Sequence, residues 1–201
     1  MHVRELAIPD AYVFTPVQHA DERGVFLEFY RFEALASAVG HSLDLRQGNI
    51  SVSQRGVVRG VHYALVPPSQ AKYVHAPTGA FLDIVVDIRV GSPTYGRWES
   101  VLIDDVDRRG VYLAEGLGHV LVALSDGATA SYLTSAVFDP EREKAINVLD
   151  PELGIEFPFD RDALRLSPKD LEAPGLAEAA DLGLLPTWDE CKAYYDSLRT
   201  A

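Results

Sequence analysis

Arg59, His62 and Lys72 stand within one short segment, RGVVRGVHYALVPPSQAK (55–72), whose other residues are mostly Val, Gly, Ala, Leu and Pro. Arg59 and His62 are three positions apart, Pro67 and Pro68 turn the chain, and Lys72 follows. Two cations and an imidazole in apolar surroundings suit a site that binds an anion and moves protons. Histidine is the side chain whose unperturbed pKa lets it both take and return a proton near neutral pH. The same His62, at the end of the apolar run 57–61, also reads as a hydrogen-bonded core histidine. Lys72 reads as a solvated residue on a sheet edge; pointing inward beside His62, it would stabilise an oxyanion.

Other candidates carry the same double reading. His119 opens an apolar strand after Glu115-Gly116-Leu117-Gly118. A metal-binding jelly roll offers a tight His-x-His pair, and His62-Tyr63-Ala64 has no second histidine at that spacing. His75 is thirteen residues on, on a strand expected to point elsewhere, so a metal is disfavoured. Tyr132, in the strand 130–136, is either a packing residue or a weak acid that delivers a proton. Asp170, after Ser167-Pro168-Lys169, reads first as a cap or surface turn residue. Gln47, Asn49 and Ser51 occupy alternate positions of one strand, forming an exposed face or a hydrogen-bonding wall for a sugar. The run 21–28, DERGVFLE, reads as a hairpin with a charged tip that carries Arg23, Phe26 and Glu28.

Many short strands must position these residues. Apolar stretches recur at close spacing between Gly, Pro, Asp and Ser turns, and this is the pattern of an all-β sandwich or jelly roll. Residues 80–89 alternate: Leu82, Ile84, Val86 and Ile88 share what should be the core face, with Asp83, Val85, Asp87 and Arg89 on a partly polar face. A short helix is expected over 31–39, stopped by Gly40. Helical pattern returns over 176–184 and 188–198, the second with Thr187 as N-cap and Glu190 three residues on. The expected architecture is a mainly β, jelly-roll sandwich in one domain, 1–201, with a helical tail over about 171–201.

Composition narrows the function. The chain has 201 residues and a net charge of −12, so its surface should repel nucleic acid and anionic membrane, and a local basic cluster looks like a pocket for a small anion. The one cysteine, Cys191, excludes an internal disulfide framework. The longest obvious apolar run, Val120 to Leu124, is far short of a membrane span, and the N-terminal MHVRELAIPDAY lacks the apolar core of a signal peptide; the expected setting is the cytoplasm.

Taken together, the blocks DERGVFLEFY, QGNISVSQRGVVRGVHY, PPSQAKYV, FLDIVVDIRVGSPTYGRW, VYLAEGLGH, ASYLTSAVFDPERE and LSPKD resemble, in order and along nearly the whole chain, the dTDP-4-dehydrorhamnose 3,5-epimerase family. The resemblance implies a cupin-like jelly roll, a homodimer, and chemistry with no metal or organic cofactor. It makes His62 the catalytic base with Asp170 as dyad partner, Lys72 the stabiliser of an enolate, and Tyr132 the acid on the opposite face of the sugar. It matches Arg23, Glu28, Gln47, Asn49, Arg59, His119, Glu143 and Lys169 to substrate-binding positions, with Arg59 on the diphosphate because a guanidinium forks onto phosphate oxygens. Phe138 matches an aromatic stacked on thymine, and Phe26 a second nucleotide contact.

The chain departs from the family pattern at Val120 and Leu121, where Gly-Phe is common, and at Gly48, where a larger residue is common. These are expected to reshape the pocket and bear on which carbon is inverted. The leading expectation is epimerisation of a dTDP-4-keto-6-deoxyhexose at carbons 3 and 5. The rivals are a mono-epimerase acting at one carbon, an isomerase moving the keto group, and a sugar-nucleotide-binding jelly roll without catalysis; the last has no need of His62, Lys72, Tyr132 and Asp170 together.

Overall fold

The computed structural model describes residues 1–199. The chain runs through β1 (His2–Glu5), β2 (Ala11–Thr15), β3 (Gln18–Asp21), β4 (Gly24–Leu27), helix α1 (Phe32–Val39), β5 (Gln47–Ser53), β6 (Val58–Ala64), β7 (Lys72–Thr78), β8 (Ala80–Val86), β9 (Trp98–Asp104), β10 (Gly110–Leu113), β11 (Gly118–Ala123), β12 (Ala128–Thr134) and β13 (Glu143–Ala145). Helices α2 (Pro168–Leu171), α3 (Leu176–Asp181) and α4 (Trp188–Arg199) follow. Two antiparallel sheets form the sandwich, one ordered β1-β2-β10-β7-β12-β5 and the other β13-β6-β11-β8-β9, while among the described residues β3 and β4 pair only with each other. This is the expected jelly-roll class.

Strand alternation sorts the side chains into layers. On the five-stranded sheet, Phe81, Val85, Leu121 and Ala123 face the other sheet and join its core residues. Ile84, Val86, Val120 and Val122 lie on the opposite face, covered by Ile146, Val148, Leu153, Leu176 and Ala179. Fully burying each such aliphatic side chain contributes about 1.5–3 kcal/mol. Both faces of this sheet are therefore buried. The expected partly polar face of 80–89 is not solvent-facing: Asp83, Val85, Asp87 and Arg89 are all fully buried, with Asp83 on the side between the sheets.

The helices behave much as their capping residues dictate. Helix α1 ends at Gly40, at φ 86°, where the left-handed conformation is cheap for glycine. Before α4, Glu190 N–H donates to Thr187 Oγ1 at 3.2 Å and Thr187 N–H donates to Glu190 Oε2 at 3.0 Å, a reciprocal capping box. The helical region is more than a tail: Leu176 and Ala179 of α3 seal the outer core, while Cys191 and Tyr195 of α4 enter the inner one.

Candidate active site

Arg59 and His62 are both on β6, and on a regular strand residues three apart face opposite sides. Here His62 pairs with His119 and Arg59 with Leu121, so three steps on β6 oppose two on β11. The extra residue is a β-bulge, and it turns both side chains to the face between the sheets. Gly60 makes it possible. Its φ of 138° is open to glycine alone, and a Cβ there would stand 2.4 Å from the His119 carbonyl oxygen.

His62 Nε2 lies 2.7 Å from Asp170 Oδ1. Asp170 is 4% exposed and sits in the first turn of α2; the cap is Ser167, whose Oγ accepts from Asp170 N–H at 3.1 Å. Burial by itself would raise the Asp170 pKa, but the hydrogen bond and charge of His62 outweigh it and leave the carboxyl below its usual range. An ionised carboxylate only accepts, so it fixes the proton on Nε2 and leaves Nδ1 as the basic nitrogen. His119, the cross-strand neighbour of His62, is held in parallel fashion: its Nε2 is 3.0 Å from Oδ1 of Asp83, a residue with no exposure.

The six-stranded sheet supplies the facing groups. Lys72 and Thr134 are register partners, as are Tyr132 and Asn49, and Lys72, Tyr132, Gln47 and Asn49 share the inner face by alternation. Lys72 is 8% exposed; burial lowers its pKa, against the opposing charges of Glu143 and Asp83. Burial raises the Tyr132 pKa, Arg59 opposes this, and Glu143 adds to it. The side chains of both sheets are thus within electrostatic reach of one another. Arg59 crosses the gap, its Nε donating to Ser53 Oγ at 3.1 Å on β5. Gln47 donates to Asn49 Oδ1 at 2.8 Å and its Oε1 accepts from Phe138 N–H at 2.9 Å, which ties the exposed Phe138 to the mouth of the cleft. Glu143 stands opposite Ala64 at the edge of the five-stranded sheet, and Lys169 is exposed beside Asp170.

Three candidates stay apart. Arg23 and Phe26 are on the β3–β4 hairpin, Arg23 forked onto Asp21 and Phe26 70% exposed, and Glu28 is exposed and ion-paired to Arg31 at 3.5 Å. Of the departures from the family pattern, only Leu121 faces the cleft. Gly48 points to the outer side of β5, between inward Gln47 and Asn49, and Val120 packs in the outer core, so neither side of the cleft is shaped by them. His75 stacks on Phe29 with ring centroids 4.3 Å apart, away from His62, and burial depresses its pKa to about 4. Sequence reasoning missed Asp83. An acid inside a strand apolar on both sides was the available signal.

A histidine backed by a buried carboxylate on one sheet, faced across a jelly roll by a buried lysine and a tyrosine on the other, marks an enzyme of the cupin-like, proton-transferring kind. The chain belongs to the dTDP-4-dehydrorhamnose 3,5-epimerase family, whose model matches residues 5–178. It is 52% identical over 199 residues to a dTDP-4-dehydrorhamnose 3,5-epimerase of Mycolicibacterium smegmatis, covering 99% of this chain and 98% of that one. It is 53% identical over 193 residues to a dTDP-4-dehydrorhamnose 3-epimerase of Streptomyces niveus, covering 96% of this chain and 92% of that one. A 3′-monoepimerase from Streptomyces bikiniensis, solved in complex with dTDP-quinovose, superposes with a TM-score of 0.95 at 45% identity and covers 100% of both chains.

Proposed function

We propose that this chain, acting as one functional domain, epimerises dTDP-4-keto-6-deoxy-D-glucose at carbons 3 and 5. The observation that carries the reading is the His62–Asp170 pair on one sheet set against Lys72 and Tyr132 on the other. A ketone at carbon 4 acidifies the hydrogens on carbons 3 and 5. His62 Nδ1 takes one of these protons, and the C–H electron pair moves onto the ketone oxygen as an enolate. The Lys72 ammonium stabilises that oxygen in a low-dielectric cleft. Tyr132 O–H returns a proton to carbon from the opposite face, which inverts the centre; solvent then reprotonates the phenolate and takes the proton held on the His62 imidazolium, which restores both groups. His119, oriented by the buried Asp83, helps hold the sugar, Arg59 takes the diphosphate, Gln47, Asn49, Glu143 and Lys169 complete the polar lining, and Phe138 stacks on the base.

We further infer a homodimer. The outer face of edge strand β5 carries Ile50 and Val52, 74% and 59% exposed, and the hairpin carries Phe26 at 70%. An edge strand with exposed apolar residues is a pairing surface, and a second copy would give Arg23, Phe26 and Glu28 a site to reach. The relatives support inversion at carbon 3 alone as a second reading, since one at 53% identity is a 3-epimerase. Incubation with the 4-keto sugar nucleotide in deuterated water, followed by NMR, decides between them. Deuterium at both carbons supports the double epimerase, and deuterium at carbon 3 alone the second reading. Binding without exchange refutes both.

A further inference from the structure

Glu115 is a carboxyl buried to 1% exposure in the turn between β10 and β11, and no step of the proposed reaction uses it. Its Oε1 accepts from Ser135 Oγ at 3.0 Å, and its Oε2 has no partner among the described residues. Such an arrangement is costly, since a buried carboxyl with an unmet oxygen loses hydration without full return. Two sets of bonds lead from this turn to the crossover that joins β6 to β7. Ser135 clamps Ala71 on both sides: Ala71 N–H donates to Ser135 Oγ at 2.8 Å and Ser135 N–H donates to the Ala71 carbonyl at 3.1 Å. The next residue is Lys72. At the other end of the crossover, Gly116 N–H donates to Ser69 Oγ at 3.2 Å, and that hydroxyl donates to the Ala64 carbonyl at 2.8 Å, two residues beyond His62. Tyr195 Oη bonds the Glu115 carbonyl and ties the turn to α4.

We propose that Glu115 is a positioning residue for Lys72: its buried carboxyl orients the Ser135 hydroxyl, Ser135 fixes the backbone of Ala71, and β7 therefore starts at one place relative to the end of β6. The spacing between the His62 strand and the Lys72 ammonium is set from this one turn. Burial raises the Glu115 pKa while the Ser135 hydrogen bond lowers it, and in either protonation state Oε1 remains an acceptor. A glutamine retains that acceptor; an alanine does not.

This inference rests on Lys72 serving the reaction, and the test separates the two. Turnover and KM for the 4-keto sugar nucleotide are measured on Glu115→Ala, Glu115→Gln, Ser135→Ala and Lys72→Ala, with melting curves to confirm folding. Loosened positioning lowers kcat of Glu115→Ala about tenfold or more while KM stays within about twofold, because the loss falls on the transition state. Glu115→Gln should recover most of the rate. A folded Glu115→Ala with wild-type kcat overturns the proposal, as does a Glu115→Gln as slow as the alanine variant. If Glu115→Ala does not fold, Ser135→Ala decides: a kcat-specific loss supports the clamp and wild-type turnover refutes it. Wild-type turnover by Lys72→Ala would remove Lys72 itself from the reaction, and the proposal with it.

Discussion

Asp170→Asn removes one charge from beneath the imidazole and changes almost nothing in shape. In the wild type the carboxylate is 2.7 Å from His62 Nε2 and 4% exposed, so little water screens it. In the proposed reaction, His62 takes the substrate proton, positive charge grows on the ring and the carboxylate stabilises it. A hydrogen bond to a charged group is worth about 1.5–3 kcal/mol net, which converts to a kcat about 10- to 150-fold lower. An asparagine can also present its amide nitrogen, which favours the wrong tautomer and adds to the loss. Because Asp170 lies behind His62, KM should move by less than about threefold. The assay is deuterium uptake into the 4-keto sugar nucleotide at saturating substrate, with His62→Ala as the floor. A melting series across pH gives an independent check. The folded-state carboxyl sits below the usual carboxylate range, so its stabilisation is present above that range and lost as pH falls through the lower folded value. The stability gap between wild type and Asp170→Asn should therefore close in acid. Wild-type kcat in the variant, or a raised KM with kcat unchanged, would refute the dyad reasoning.

Tyr132→Phe should slow inversion while leaving nucleotide binding near wild type; calorimetry with dTDP beside the exchange assay checks this, and a loss of affinity with full turnover counts against a proton donor. Gly60→Ala forces a Cβ to 2.4 Å from the His119 carbonyl at a φ that alanine avoids, so stability should fall by about 2–4 kcal/mol with activity lost alongside, measured by urea melts. His75 has its pKa depressed to about 4 by burial, so the unfolded chain takes up a proton first as pH falls from 6.5. Wild type should lose on the order of 2–3 kcal/mol of stability between pH 6.5 and 4 from this group, and His75→Phe, which keeps a ring against Phe29, should flatten that part of the profile.

The many short strands and their approximate extents were legible because alternation and turn residues are local signals, whereas the order of strands in each sheet depends on distant pairings. The helix stop at Gly40 and the Thr187–Glu190 cap were legible for the same reason. The bulge on β6 was not. Nothing in the spacing of Arg59 and His62 says that one residue is extra, since the partner strand β11 supplies the other half of the register. Alternation does explain why Gly48 and Val120 stand clear of the cleft: if Gln47, Asn49, His119 and Leu121 face in, their neighbours face out. Asp83 was misassigned because an acid on an alternating strand is usually solvated, and only the second layer, Phe81 and Val85 against the other sheet, reverses that. The solitary hairpin β3–β4 is a different case: in the proposed dimer its residues would reach a second copy, and such a contact leaves no trace in the pattern of one chain.

His62 and Lys72 hang from consecutive strands that belong to different sheets, so neither sheet alone holds a working site. Competence for proton transfer is created only when the two layers close on each other. A partly assembled chain with either sheet complete would carry much of the β-structure and none of the chemistry. Catalytic activity is in that sense a gauge of sheet docking.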